Sequence, residues 1–239
     1  MPSQTEKTDV ERLIRDRPQF HATSDGTSVS WAVCPDVLRF ICESVPAGSA
    51  TLETGSGHTT VAFAMAGANH VAVTPSEEES RKITEYCTKL GIASTVRFVI
   101  EPSDTALPQN AVIPEELDFV FIDGAHAFPL PFVDFHYTER RLKIGGIMGV
   151  DDVFMPSVRI LYDFLQAEDD WELVRQIEDT AFFRRLGRNE STADRWAKQK
   201  INKAFWDRKV RRQRSRLRWL IYLPVRMVRN PQRYFGRWG

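Results

Sequence analysis

The sequence is poor in cysteine, has no long apolar run, and carries no net charge. Three cysteines, Cys34, Cys42 and Cys87, leave an odd count and form no metal-like cluster. That argues against a disulfide framework and suits a reducing compartment, where thiols act as small buried apolar groups. No apolar stretch reaches the roughly 18 residues that a transmembrane helix needs. The charged N-terminus does not resemble a secretory signal, so a cytoplasmic protein is expected. No internal repeat is visible. The zero net charge conceals a strong asymmetry. Residues 194–239 hold fifteen Lys/Arg against two Asp, and the remainder holds seventeen basic against thirty acidic residues. An acidic body of net −13 therefore carries a basic tail of net +13.

What is present fits one α/β domain with extra segments at its ends. Residues 1–20 read as a frayed helix or arm, and His21 to Ser30 as a loop. Apolar spacing predicts a helix within Trp31–Val45, then a strand over Ala50–Thr54 and a helix over His58–Ala68. A strand over His70–Thr74 leads to a helix that opens with Glu77, Glu78 and Glu79 and stops at Gly91. Strands follow at Thr95–Ile100, Leu117–Asp123 and Ile147–Val150, with a loop at Glu101–Asn110 and helices at Pro131–Leu142 and Pro156–Ala167. Trp171–Ile177 and Thr180–Leu186 read as a hairpin. Alternating strands and helices predict a mostly parallel, Rossmann-like sheet, with this hairpin as an antiparallel edge.

The chain is organised around the stretch from Ala50 to Thr60, ATLETGSGHTT. A short strand ends in Glu53, and Gly55 and Gly57 then permit a tight turn and close approach of backbone N–H groups to a ligand. The helix N-terminus that follows favours a carboxylate or phosphate, although such turns also join strands to helices with no ligand. In open α/β sheets ligands bind beyond the C-terminal ends of the strands. The residues expected there are Glu53, Thr74, Ser103 with Asp104, Asp123, and Asp151 with Asp152. Asp123, Asp151 and Asp152 become neighbours if their strands are adjacent. Crowded carboxylates repel unless protonated or neutralised by a cation, for which oxygen ligands suit Mg²⁺ or Ca²⁺. The competing reading is an Asp-Asp turn that caps the next helix. His126, three residues past Asp123, is a candidate general base.

Three motifs in this order, LETGSG, FIDGAHAF and GGIMGVDDV, resemble a class I S-adenosylmethionine-dependent methyltransferase. The likeness is closest to small-molecule and sugar O-methyltransferases with a DG-x-H motif, and it spans roughly residues 30–187. It implies a cofactor turn at Glu53, Gly55, Ser56 and Gly57, adenine contacts at Ser103 and Asp104, and a divalent metal on Asp123, Asp151 and Asp152. It also implies methyl transfer to a hydroxyl of a small molecule or glycan, with His126 taking the proton. One departure stands out. Family members commonly end the second strand with an acid that binds the ribose, whereas Thr74 occupies that place here. A hydroxyl makes a weaker bond than a carboxylate, so either Glu77 or a neighbour compensates or cofactor binding is weak. Thr60 stands where a dinucleotide fingerprint has its third glycine, which disfavours a nicotinamide enzyme.

The expected organisation is an N-terminal arm at 1–30, a methyltransferase domain at 31–190 and a basic, aromatic extension at 191–239. That extension interleaves cations with Trp196, Trp206, Trp219, Tyr222 and Trp238. It could pack on the body or on a second subunit, bind an anionic membrane surface, or bind nucleic acid. A rival functional reading makes the protein a catalytically weak binding module that acts through this tail.

Overall fold

The computed structural model describes residues 4–22, 28–29, 32–109, 112–187 and 199–202. The chain divides into two compact units, Met1–Arg188 and Asn189–Gly239. The second contributes only residues 199–202 to the described set, so the expectations for the tail lie almost entirely outside it.

In the first unit, helix α1 (Gln4–Asp16) leads to two short paired strands, β1 (His21–Ala22) and β2 (Ser28–Val29), and then to α2 (Pro35–Ser44). Alternating elements follow: β3 (Ala50–Thr54), α3 (His58–Met65), β4 (Asn69–Val73), α4 (Glu77–Leu90), β5 (Val96–Val99), α5 (Ser103–Gln109), β6 (Leu117–Ile122) and α6 (Leu130–Glu139). The unit finishes with β7 (Leu142–Val150), α7 (Pro156–Ala167), β8 (Trp171–Ile177) and β9 (Thr180–Arg185). The main sheet has seven strands in the order β5-β4-β3-β6-β7-β9-β8. The first five run parallel, and β9 inserts antiparallel between β7 and the edge strand β8. The strand order reverses beside β3, and this reversal opens a crevice at the C-terminal ends. Strands β6 and β7 are neighbours, as the grouping of the three aspartates required.

Two apolar layers cover the sheet. Strand β6 shows the alternation behind them: Val120 and Ile122 enter one layer with Phe135, Leu161 and Leu165, while Phe119 and Phe121 enter the other with Ile41, Phe63 and Ile83. Residues 4–22, read from sequence as an arm, belong to the second layer, where Val10, Leu13 and Phe20 are buried. Helix α4 is built as its sequence indicates. Ser76 Oγ accepts from Glu79 N at 3.2 Å, and Gly91 ends the helix in the left-handed region at φ 75°.

Two expected elements change. The loop expected at 101–110 contains α5, because Ala106 and Leu107 are fully buried and Ala106 N donates to Pro102 O at 2.9 Å. The helix expected to reach Leu142 ends at Glu139, and β7 begins at Leu142, opposite Leu117 of β6. Pairing with a buried central strand outweighs the helical spacing there. Among the described residues no helix is long and apolar enough to cross a membrane.

Candidate active site

The turn after β3 requires glycine at Gly55. Its φ is +94°, and an added Cβ would lie 2.2 Å from the backbone oxygen of Asp123. Tight contact between the β3 and β6 loops is thus built into the chain, and Asp123 N also donates to Thr54 O at 3.0 Å. Glu53 has a different place from the one expected. It is 1% exposed and does not line the cavity. Its carboxylate accepts from Thr59 Oγ1 at 2.7 Å and from Thr60 Oγ1, and lies 3.1 Å from His70 Nε2. Thr60 Oγ1 in turn accepts from Gly57 N at 2.9 Å. Buried carboxylates persist where donors surround them. Glu53 therefore shapes the glycine turn from beneath.

A cavity of about 720 Å³ opens over the C-terminal ends of the strands, a size that suits a small-molecule site. Gly55, Ser56, Gly57, Thr74, Ser103, Asp104, Asp123, Asp151 and Asp152, all expected from sequence, line it together with His126. Thr74 is 2% exposed, and its Oγ1 accepts from Ser76 N at 3.3 Å. The acid on this side is Glu79, which sequence reasoning missed. Glu79 accepts from Ser56 Oγ at 3.3 Å and lies 3.2 Å from His21 Nδ1. Helical spacing could have found it. Ser80, Ile83 and Cys87 mark the buried face of α4, and Glu79 borders that face while Glu77 and Glu78 are exposed.

His21 and His58 line the cavity without having been foreseen. His58 opens α3 and stacks at a tilt on Phe20, with ring centroids 5.0 Å apart. Burial, aided by His21 and Arg17, pushes its pKa down to about 4, so it is neutral at physiological pH.

Beside the glycine turn, ligand atoms of Asp123, His126 and Asp152 lie within 4.8 Å of one another. His126 Nε2 stands 3.3 Å from Asp152 Oδ2 and 3.7 Å from Asp123 Oδ1. The group that converges is thus two carboxylates and an imidazole, not three aspartates. Asp151 instead accepts from Thr180 Oγ1 at the tip of the β8–β9 hairpin. Asp152 has a left-handed backbone at φ 53°, a conformation uncommon outside glycine that aspartate adopts more readily than most residues. The helix-cap reading is not what forms. Met155 caps α7 with no side-chain bond, and only the backbone oxygen of Asp152 accepts, from Met155 N at 2.8 Å.

Burial pushes the Asp123 carboxyl up to about 7, with Asp151 and Glu53 adding repulsion and His126 opposing it. The hydrogen bond to Asp123 raises the His126 pKa, and the charges of Asp152 and Asp151 add to this. Burial also raises Asp151, against the bond from Thr180. Clustered acids held above their usual range beside a histidine held above its own are suited to handling a proton or holding a cation.

Residues 52–153 match the family model of a methyltransferase domain. No curated protein is significantly similar to the chain in sequence. Many solved structures share the fold. The O-methyltransferase TomG from Streptomyces achromogenes, involved in tomaymycin synthesis and solved with S-adenosylmethionine, is 15% identical with a TM-score of 0.55; the match covers 78% of this chain and 92% of that one. An O-methyltransferase from Bacillus cereus, solved with S-adenosylhomocysteine, is 16% identical with a TM-score of 0.56 over 78% of this chain and 93% of its own. An S-adenosylmethionine-dependent O-methyltransferase from Thermotoga maritima is 16% identical with a TM-score of 0.55, covering 76% of this chain and 72% of that chain.

Proposed function

We propose that this chain, residues 52–153 of which match a methyltransferase-domain model, is a class I, S-adenosylmethionine-dependent enzyme that O-methylates a hydroxylated small molecule or glycan. The observation that carries this reading is the convergence of Asp123, His126 and Asp152 in the cavity that the Gly55 turn also lines. S-Adenosylmethionine supplies a methyl group to the acceptor oxygen and leaves as S-adenosylhomocysteine. The chain's own part is alignment, exclusion of water and movement of one proton. The N–H groups of Gly55 and Gly57 are taken by Val73 O and Thr60 Oγ1, so it is the start of α3, beyond the turn, that presents backbone N–H groups to the cofactor's carboxylate. Glu79, which lines the cavity on the side of Thr74, takes the place of the acid that Thr74 does not supply, and this supports the enzyme reading over the weak-binding-module reading. His126 Nε2 accepts the acceptor's hydroxyl proton as its oxygen bonds to the methyl carbon. The carboxylates that raise its pKa make it the stronger base.

The donor set of Asp123 and Asp152 beside His126 fits a divalent cation. Two carboxylates suit Mg²⁺ and leave the lone pair of His126 Nε2 for the proton. Such an ion would lower the pKa of a hydroxyl near it.

Titration calorimetry of the full chain with S-adenosylhomocysteine tests the cofactor first. Saturable binding is expected, and no binding at millimolar ligand would sink the enzyme reading. With an acceptor in hand, Asp123→Ala should abolish turnover and leave cofactor binding nearly intact. Full activity after exhaustive chelation would assign the acids to another task.

A further inference from the structure

Behind the cavity wall lies an acid that this reaction does not use. Asp134, on α6, is 0% exposed. Neither of its oxygens makes a well-formed hydrogen bond, and neither does the buried Thr54 Oγ1. A Cβ on Gly124 would stand 3.2 Å from Asp134 Oδ2 and 3.3 Å from Thr54 Oγ1. The bare backbone at Gly124 is what lets these groups approach. Burial raises the Asp134 pKa, and the hydroxyls of Ser103 and Thr54 lie close enough to oppose that rise. Thr54 ends β3, Ser103 opens α5, and Gly124 follows β6. Three loops of the candidate site therefore meet on one carboxyl group. Ser103 and Gly124 line the cavity, whereas Thr54 and Asp134 do not.

A buried carboxyl with poor hydrogen bonds is costly, and few exist without a use. We propose that Asp134 is a positioning residue for cofactor binding: when the cofactor binds, its carboxylate accepts from the hydroxyls of Thr54 and Ser103, which in this structure are not yet in bonding geometry, and so sets Ser103 and the Gly124 turn against the bound molecule. This inference rests on the S-adenosylmethionine reading. It concerns a residue that never touches the ligand. Its signature is therefore coupling between positions in ligand affinity, read beside a thermal midpoint that a general packing role would lower.

The test is calorimetric titration of S-adenosylhomocysteine into the full chain as wild type, Asp134→Asn, Ser103→Ala, the double variant, and Thr54→Val. Asp134→Asn should weaken binding about tenfold, the worth of one charge-assisted hydrogen bond. Ser103→Ala should cost clearly less in the Asp134→Asn background than in wild type. Thr54→Val is nearly isosteric and lies outside the cavity, so severalfold weaker binding at unchanged thermal midpoint supports the same clamp. If Asp134→Asn fails to fold, Thr54→Val decides alone. Additive losses at Asp134 and Ser103, or Thr54→Val binding within twofold of wild type, would overturn the inference while leaving the cofactor reading intact. A wild-type chain that binds no S-adenosylhomocysteine would overturn both.

Discussion

Asp123 and Gly55 show how closely function and strain are joined at single residues. Gly55→Ala places a Cβ 2.2 Å from Asp123 O at a φ of +94°. Both the left-handed backbone and the clash act against it, at about 2 kcal/mol or more. Urea denaturation should show that loss, and S-adenosylhomocysteine titration should show no binding. Asp123 illustrates the opposite balance. Its carboxyl is raised on folding from 3.8 to about 7. An acid raised in this way contributes stability that is complete below its unfolded pKa and lost as pH rises through the folded one. Asp123→Asn removes the charge that burial disfavours, although it also gives up the contact with His126. The variant should melt higher than wild type at about pH 8, by on the order of 1 kcal/mol or a few degrees. The gap should close as pH falls toward about 4. A thermal scan across that range is decisive: a variant less stable than wild type at pH 8 would mean that the His126 contact dominates.

Among the elements, the junction between α6 and β7 depends on a strand that comes more than forty residues later. Arg185, at the end of β9, is 3% exposed. Its guanidinium donates to the backbone oxygens of Glu139 and Leu142, and its Nε donates to Gly187 O at 3.0 Å. Together these bonds hold the carbonyls left where the helix stops and the strand begins. Arg185→Met should destabilise the unit by about 2–4 kcal/mol, because several buried acceptors lose their donor at once. Chemical denaturation would measure it. A change under about 0.5 kcal/mol, the usual size for an exposed position, would show that the junction holds without this side chain. The same hairpin brings Thr180 to Asp151, so β8 and β9 also decide which aspartate is left to face His126.

At the scale of the whole molecule, charge is the unexplained feature. A body of net −13 and a tail of net +13 could neutralise each other, but exposed ion pairs are individually weak and screened by salt. They would not account for the many Trp and Tyr residues in the tail. Anionic lipid offers both negative charge and an interfacial layer suited to those rings. We therefore propose that residues 194–239 bring the enzyme to an anionic membrane surface, on the cytoplasmic side, rather than to nucleic acid or a second subunit. Full-length protein should co-sediment with anionic vesicles at low salt, and a chain ending at Arg188 should stay in solution yet still bind S-adenosylhomocysteine. Equal vesicle binding by both chains would assign the attraction to the body.

The sequence alone determined every strand of the main sheet, all to within a few residues except β7, whose first five residues it missed, together with the glycine turn and the acids at the strand ends. These are local signals: apolar runs, turn residues and their order are written in the chain itself. Glu79 was also within reach of the helical period of α4, once the buried face was counted. Only the tertiary structure decided the rest. Glu53 reads as a ligand contact until Thr59, Thr60 and His70 are seen closing over it. Asp151 and Asp152 are adjacent in sequence and equal in chemistry. Their roles separate because a left-handed backbone turns one toward His126, while Thr180 from a distant hairpin takes the other. Asp134 gives no sign in the sequence, since its partners come from β3 and α5. Local patterns fix which elements form, whereas burial and long-range partners fix which polar atoms remain available for chemistry.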